Sequence, residues 1–289
     1  MGVLVEQLLN GLIIGSMYSL VASGLSLIWG TMKMLNFSHG EFYMVGGYLM
    51  YFTNVASGMN PLLACALSLV AVFLLGVLIE RTVIHHLLDK PGWDISPLIA
   101  TIGISIFMQN FALRVWGERF KNIPYYADGN ANIAGVEMSY QRILIFVVAI
   151  VVVVLFWAFL KFSRYGMALR ATSQNRDAAA IYGVNIYVIY MITFGISATL
   201  AALAAVMLSP IYSVNPWMGA PPLLKAFTVV VLGGLGSLEG AIIGGVVLGV
   251  LESLGVFFFS SEWRDVVAFT VLILVLWIRP TGLFGAKAW

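Results

Sequence analysis

Three histidines, one cysteine and a handful of carboxylates are what this 289-residue chain offers to metal or nucleophile chemistry, and their spacing is poor for either. His85 and His86 are adjacent, and neighbouring side chains project about 100° apart on a helix, so the two make a weak joint ligand set. There is no H-E-x-x-H pair, and Ser237 lies among glycines without the base or orienting group an intramembrane nucleophile needs. Cys65 is the only cysteine, which excludes an intrachain disulfide or a cysteine-built cluster; in its apolar run it packs as a small hydrophobe. A G-x-x-x-x-G-K-[ST] phosphate loop is absent. The expectation is a chain that is not an enzyme, holds no cofactor or metal, and binds no nucleotide itself.

Ionisable residues inside apolar runs would instead serve ion-coupled transport. The candidates are Glu41, Glu80, Glu239, Glu252 and Lys225. Most fall near the ends of such runs, where snorkelling to the interface makes them cheap, but Glu252 follows Val250 and Leu251 well inside one. A secondary, ion-driven transporter therefore stands as one reading.

Three segments interrupt the apolar pattern with polar residues and glycine. The first is N-F-S-H-G-E-F at 36–42, followed by Gly46 and Gly47. Asn36, Ser38, His39, Gly40 and Glu41 at a helix break suit a solute path, because non-helical backbone at membrane depth survives only where protein or a water-filled cavity satisfies it. The same residues also fit an ordinary cytoplasmic turn, with His39 hydrogen-bonded and Glu41 favouring a helix N-terminus. The second segment is V-V-L-G-G-L-G-S-L-E-G at 230–240, where Gly233, Gly234, Gly236 and Ser237 form a break that suits the translocation path. Beyond it, the G-x-x-x-G pair Gly245 and Gly249 reads first as a helix-packing face.

The third segment, 163–185, reads as a short helix laid between two spans. Asn175 caps it, Asp177 complements its N-terminus, Ala178 to Tyr182 propagate it, and Gly183 fits the position after the helix that wants positive φ. Ala178, Ala179 and Ala180 leave a flat face for docking into a groove, with Arg170 and Arg176 free to pair with an acidic rim; a plain capped surface loop is the alternative.

Positioning all of this requires membrane-spanning elements. Residues are 61% hydrophobic and 10% charged, with mean hydropathy +0.97, against about 25% charged in soluble domains. The net charge of +2 comes with no polybasic tract, so nucleic-acid binding has no support. A bilayer core takes about 20 apolar residues as helix. Candidate spans are 4–28, 40–55, 61–79, 95–115, 143–160, 187–208, 238–258 and 266–278, with 223–232 too short to cross and read as a half-helix entered through 209–222. The architecture expected is an all-α polytopic membrane bundle of about 8–9 spans with one or two broken or half helices, forming a single transmembrane domain over 1–289. The first apolar run has no preceding Lys or Arg and no short cleavable h-region, and reads as a retained span.

The basic cluster Lys161, Arg164, Arg170 and Arg176 sets orientation by the positive-inside rule. Placing it in the cytoplasm also places Lys33, Arg81, Lys90, Arg279 and Lys287 there, and leaves Glu6 with the N-terminus outside and the C-terminus inside. The mixed-charge segment 114–142 is the exception, lying outside.

Three motifs together carry a resemblance over essentially the whole length: L-N-F-S-H-G-E-F-Y-M-V-G-G-Y at 35–48, G-M-A-L-R-A-T-S-Q-N-R-D-A-A-A-I-Y-G at 166–183, and V-V-V-L-G-G-L-G-S-L-E-G-A-I-I-G-G at 229–245. The chain resembles the LivH-type permeases of branched-chain amino-acid ABC importers. The resemblance implies a permease in a bacterial inner membrane, paired with a second homologous LivM-like permease, two cytoplasmic ATPases that hold ATP and Mg, and an extracytoplasmic binding protein that delivers leucine, isoleucine or valine. It also implies that the element at 166–183, with Gly166, Arg170, Asn175, Arg176, Asp177, Ala178, Ala179 and Gly183, is the coupling helix that docks on an ATPase, and that 209–222 faces the binding protein or gates the outer mouth. Permeases for urea or short amides share these motifs, so the resemblance leaves the solute class open between them.

Overall fold

The computed structural model describes residues 2–87, 95–133 and 135–285; Lys90 and Lys287, which entered the charge tally, lie outside the described residues. Helices dominate it. In chain order they are α1 (Gly2–Met32), α2 (His39–Met50), α3 (Pro61–Ile79), α4 (Ser96–Trp116), α5 (Tyr140–Phe162), α6 (Arg164–Gln174), α7 (Arg176–Ile181), α8 (Ile186–Leu208), α9 (Ala220–Gly233), α10 (Leu238–Phe258) and α11 (Trp263–Ile278). α2 runs on as a π-helical turn over Tyr51–Ala56, and α3 as another over Glu80–Ile84.

Six helical bodies among the described residues are long and apolar enough to cross a membrane: Val3–Met32, Pro61–Leu87, Ser96–Trp116, Tyr140–Phe162, Ile186–Leu208 and Leu238–Phe258. Their exposed surface is made of Leu, Ile, Val and Phe, as at Leu62, Leu74, Phe107, Ile106 and Leu155, the opposite of a water-facing helix and the pattern a lipid-facing one requires. The boundaries follow local chemistry. Asn60 accepts from the Leu62 N–H ahead of Pro61, starting α3 with a cap and a first-turn proline.

One element departs from an all-α expectation. Residues Asn130–Ile133 (β1) and Val136–Ser139 (β2) form an antiparallel hairpin, with Asn130 opposite Ser139 and Asn132 opposite Glu137. The reason is visible in N-A-N-I-A-G-V-E-M-S: Gly135 takes φ +82° at the turn, and its N–H donates to Asn132 Oδ1 at 3.0 Å.

The chain divides into two compact units. One comprises the chain up to Ser26, Tyr125–Val154 and everything from Leu224 onward; the other comprises Leu27–Pro124 and Leu155–Leu223. In the first unit, α1 and α10 cross antiparallel on facing glycines. A Cβ on Gly11 would stand 2.8 Å from the Gly249 carbonyl oxygen, and one on Gly15 2.8 Å from that of Gly245. Ser19 Oγ crosses the same seam to donate to the Ile242 carbonyl at 2.7 Å. Packing is thus what Gly245 and Gly249 do, and the partner is a second G-x-x-x-G, Gly11 and Gly15, which sequence reasoning missed although it has the same spacing.

In the second unit α8 is the central element, packed by α2, α3 and α6 and buried along most of its length. Small residues allow this closeness: a Cβ on Gly46 would stand 2.7 Å from Ala202 Cα, and one on Gly76 2.9 Å from the Phe194 carbonyl oxygen.

Candidate functional site

The chain leaves α1 at Lys33, whose φ of 55° turns it sharply, and restarts as helix at His39. The break is therefore at 33–38. Gly46 and Gly47, which the sequence suggested as part of it, lie within α2 instead: Gly46 admits α8, while Gly47 admits Met218 and Ser209 of the segment before α9. The same face of α2 carries Gly40, whose backbone meets that of Gly219 so closely that neither residue has room for a Cβ. Residues 209–219 thus run along α2 down to Gly40, and α9 starts there.

Around the break, every polar residue singled out by the sequence is buried: Asn36, Ser38 and His39 are 0% exposed and Glu41 is 4% exposed. Asn36 Oδ1 accepts from both the Ser38 N–H at 3.0 Å and the Ser38 hydroxyl at 2.7 Å. His39 Nδ1 lies 3.2 Å from Ser197 Oγ on α8. Glu41 Oε1 accepts from Ser105 Oγ on α4 at 2.9 Å, and the Phe37 N–H donates to Thr101 Oγ1, also on α4, at 3.2 Å. Ser105, Thr101 and Ser197 were not foreseen, because isolated serines and threonines in apolar helices give no signal by themselves. Two atoms at the break find no hydrogen-bond partner within the protein: Asn36 Nδ2 and Glu41 Oε2. Glu80, buried in the π-helical turn after α3, has neither oxygen partnered.

The second glycine segment lies in the other unit. Gly233 ends α9, Gly234 and Gly236 take φ of +103° and +82°, and Ser237 caps α10 by accepting from the Gly240 N–H at 3.0 Å. Gly233 and Gly240 touch backbone to backbone. The orphan carbonyls at the end of α9 are taken up by the chain after α11: Leu283 N–H donates to Leu232 O at 2.8 Å and Phe284 N–H to Gly233 O at 2.9 Å. Leu235 and Gly236 are exposed, so this segment is a tight helix–helix turn. The same unit holds an ion cluster whose pairing the sequence did not reveal. Lys225 Nζ of α9 lies 2.6 Å from Glu252 Oε1 of α10 and 2.7 Å from Asp265 Oδ1 of α11, and Tyr18 of α1 donates to Glu252 Oε2 at 3.0 Å.

The segment after α5 forms two helices where one was expected, α6 and α7, hinged at Asn175. Ser163 Oγ caps α6 by accepting from the Gly166 N–H at 2.8 Å. Asn175 ends α6 in an extended conformation, and its Oδ1 accepts from the Ala178 N–H at 2.9 Å to start α7, with Asp177 in the first turn. Gly183 takes φ +86° just past the end, as its position predicted. Gly166 lets α6 fold back against the Phe159 and Leu160 backbone.

Of the three alanines, Ala179 turns inward, while Ala178 is half-buried and Ala180 exposed. Ala179 is 5% exposed, whereas Ile181 is 84% and Tyr182 89% exposed. Small size lets Ala179 turn inward where α7 packs on α8. Nor are the two arginines wholly reserved for a partner. Arg170 donates to the Lys161 carbonyl at 3.2 Å, neutralising the C-terminal end of α5, and the Arg176 guanidinium lies 5.9 Å from the Tyr190 ring centroid.

Apolar spanning helices, a polar break buried against them and a capped surface element between two of the spans define a multi-pass α-helical membrane protein. More narrowly, the chain belongs to the family described as branched-chain amino acid transport system / permease component, which matches residues 7–276. It is 40% identical to the high-affinity branched-chain amino acid transport system permease protein BraD of Pseudomonas aeruginosa, over 97% of this chain and 95% of that one. It is 35% identical to the corresponding protein LivH of Salmonella typhimurium and 34% to that of Escherichia coli, with the same coverage.

Proposed function

We propose that this chain is the membrane-spanning permease subunit of an ATP-driven importer and forms part of the path for leucine, isoleucine and valine. The observation that carries the reading is the end-to-end similarity to permeases named for branched-chain amino acids, joined to a buried polar break at 33–41 of this chain. The chain is not an enzyme. ATP and Mg belong to two cytoplasmic ATPase subunits, a second homologous permease completes the membrane part, and an extracytoplasmic protein delivers the solute.

In this reading α2 with its π-helical turn and α11 cross beside the six long spans, and α9, 14 residues long and so about 21 Å, enters as a half-helix. Eight helical crossings, and a ninth made jointly by the extended 209–219 segment and the half-helix α9, give the odd number that lets a single permease domain of the bacterial inner membrane keep its N-terminus outside and its C-terminus in the cytoplasm. The charge tally supports the orientation. Asn36, Ser38, His39, Gly40 and Glu41 line the path, and Gly233, Gly234, Gly236 and Ser237 fix how deep α9 reaches. The α6–α7 element couples to an ATPase: Gly166 and Gly183 set its fold, Asn175 and Asp177 start α7, Ala178 and Ala179 seat it, Arg170 and Arg176 fix its flanks, and Ile181 and Tyr182 form the contact.

Affinity purification of the tagged chain from its native membrane, followed by mass spectrometry and an ATPase assay, tests the reading. Two ATPases and a second permease are expected to co-purify. A lone chain would favour an ion-coupled carrier, for which the unpartnered carboxylates of Glu41 and Glu80 are the supporting feature.

A further inference from the structure

A buried polar atom without a partner costs about 1–3 kcal/mol, so such atoms are few and each calls for an explanation. At the break before α2 two of them occur five residues apart and are of opposite kind: an amide donor, Asn36 Nδ2, and a carboxylate acceptor, Glu41 Oε2. The remaining atoms of both side chains are held. Asn36 Oδ1 is fixed by Ser38 and Glu41 Oε1 by Ser105, which settles which atom of each is left over. Two successive turns, His39 N–H to Asn36 O at 3.4 Å and Glu41 N–H to Ser38 O at 3.0 Å, keep the stretch compact.

We propose that Asn36 and Glu41 bind the two charged ends of the transported amino acid, the Asn36 amide donating to its carboxylate and the Glu41 carboxylate accepting from its ammonium. This rests on the function proposed above and assigns the head-group contacts within it. Nothing at the break contacts the side chain specifically in this scheme: selection is for the zwitterionic head, and the surrounding Phe42, Tyr43 and Met44, all buried, supply apolar surroundings. A buried ionised carboxylate gains most from a cationic partner. An uncharged amide would meet the same two atoms but gain less from Glu41.

The test uses the purified importer complex in nanodiscs, without its extracytoplasmic binding protein. Bound radiolabelled leucine is displaced by unlabelled leucine, by isocaproate, which lacks the ammonium, and by isoamylamine, which lacks the carboxylate. In the unaltered protein both analogues displace at least about tenfold less well than leucine, the scale of a lost charge-assisted hydrogen bond. Glu41→Gln collapses the preference for leucine over isocaproate and keeps that over isoamylamine. Asn36→Asp keeps the acceptor that holds Ser38 and collapses the preference over isoamylamine. Glu80→Gln, which alters the other buried carboxylate with unpartnered oxygens among the described residues, leaves both ratios unchanged. Unchanged ratios in the Glu41 and Asn36 variants, a collapse with Glu80→Gln instead, or a complex that transports leucine but shows no binding would each overturn the assignment and mean that only water meets these atoms. A complex that transports short amides and not leucine would instead refute the function on which the assignment rests.

Discussion

At the scale of single residues, polar groups in this chain earn their places by pairing in a solvent that offers no partners. Lys225 and Glu252 show the rule. Both are buried, and each satisfies the other. Replacing Lys225 with Met removes the ammonium paired with a buried carboxylate and leaves it the Tyr18 hydrogen bond, and is expected to destabilise the protein by about 3–5 kcal/mol, the cost of breaking a buried pair. Adding Glu252→Gln should return a large part of it, as measured by thermal unfolding in nanodiscs. Equal stability of the single and double variants would show that the pair contributes nothing. Asn175 is a second case: Asn175→Ala removes the cap on α7 and should cost about 1 kcal/mol, seen as faster hydrogen exchange at residues 176–181 with exchange in α8 unchanged.

At the scale of elements, close approach decides the fold, and its legibility depended on what sets each approach. Spans such as α3 and α10 match the hydropathy boundaries because lipid dictates their length. The Asn175 cap and the positive φ of Gly183 were equally readable, since local chemistry fixes them. The outward pair Ile181 and Tyr182 was not, because which face of a six-residue helix turns inward depends on α8. Nor were the unpartnered atoms of Asn36 and Glu41, which are defined by Ser38 and Ser105 having taken the others. The hairpin at Asn130–Ile133 and Val136–Ser139 was readable from Gly135 and the short alternation but lay in a segment read only for charge. Gly15→Leu places a side chain where the Gly245 carbonyl stands, and should lower stability by about 1–3 kcal/mol or more, with loss of folded protein on heating. Replacing Ile181 and Tyr182 with Ser should leave membrane insertion and unfolding temperature unchanged, yet lower ATP-driven uptake at least about tenfold, the effect of losing an aromatic interface anchor. Unaltered uptake would remove α7 from the ATPase contact.

At the scale of the whole molecule, the chain is a multi-pass membrane protein of a permease family, and the sidedness proposed for it rests on the distribution of charge. With Cys65 replaced by Ser, a single cysteine at Tyr125 should react with a membrane-impermeant maleimide on intact cells whose outer membrane has been removed, and one at Tyr182 only after lysis. The reverse pattern would invert the topology. The central claim, that this permease works by ATP hydrolysed on partner subunits, is tested most directly by leucine uptake into proteoliposomes holding the co-purified complex and its binding protein. Uptake that requires ATP on the ATPase side and persists when ion gradients are collapsed is the predicted result; uptake that ignores ATP and follows an ion gradient would contradict it.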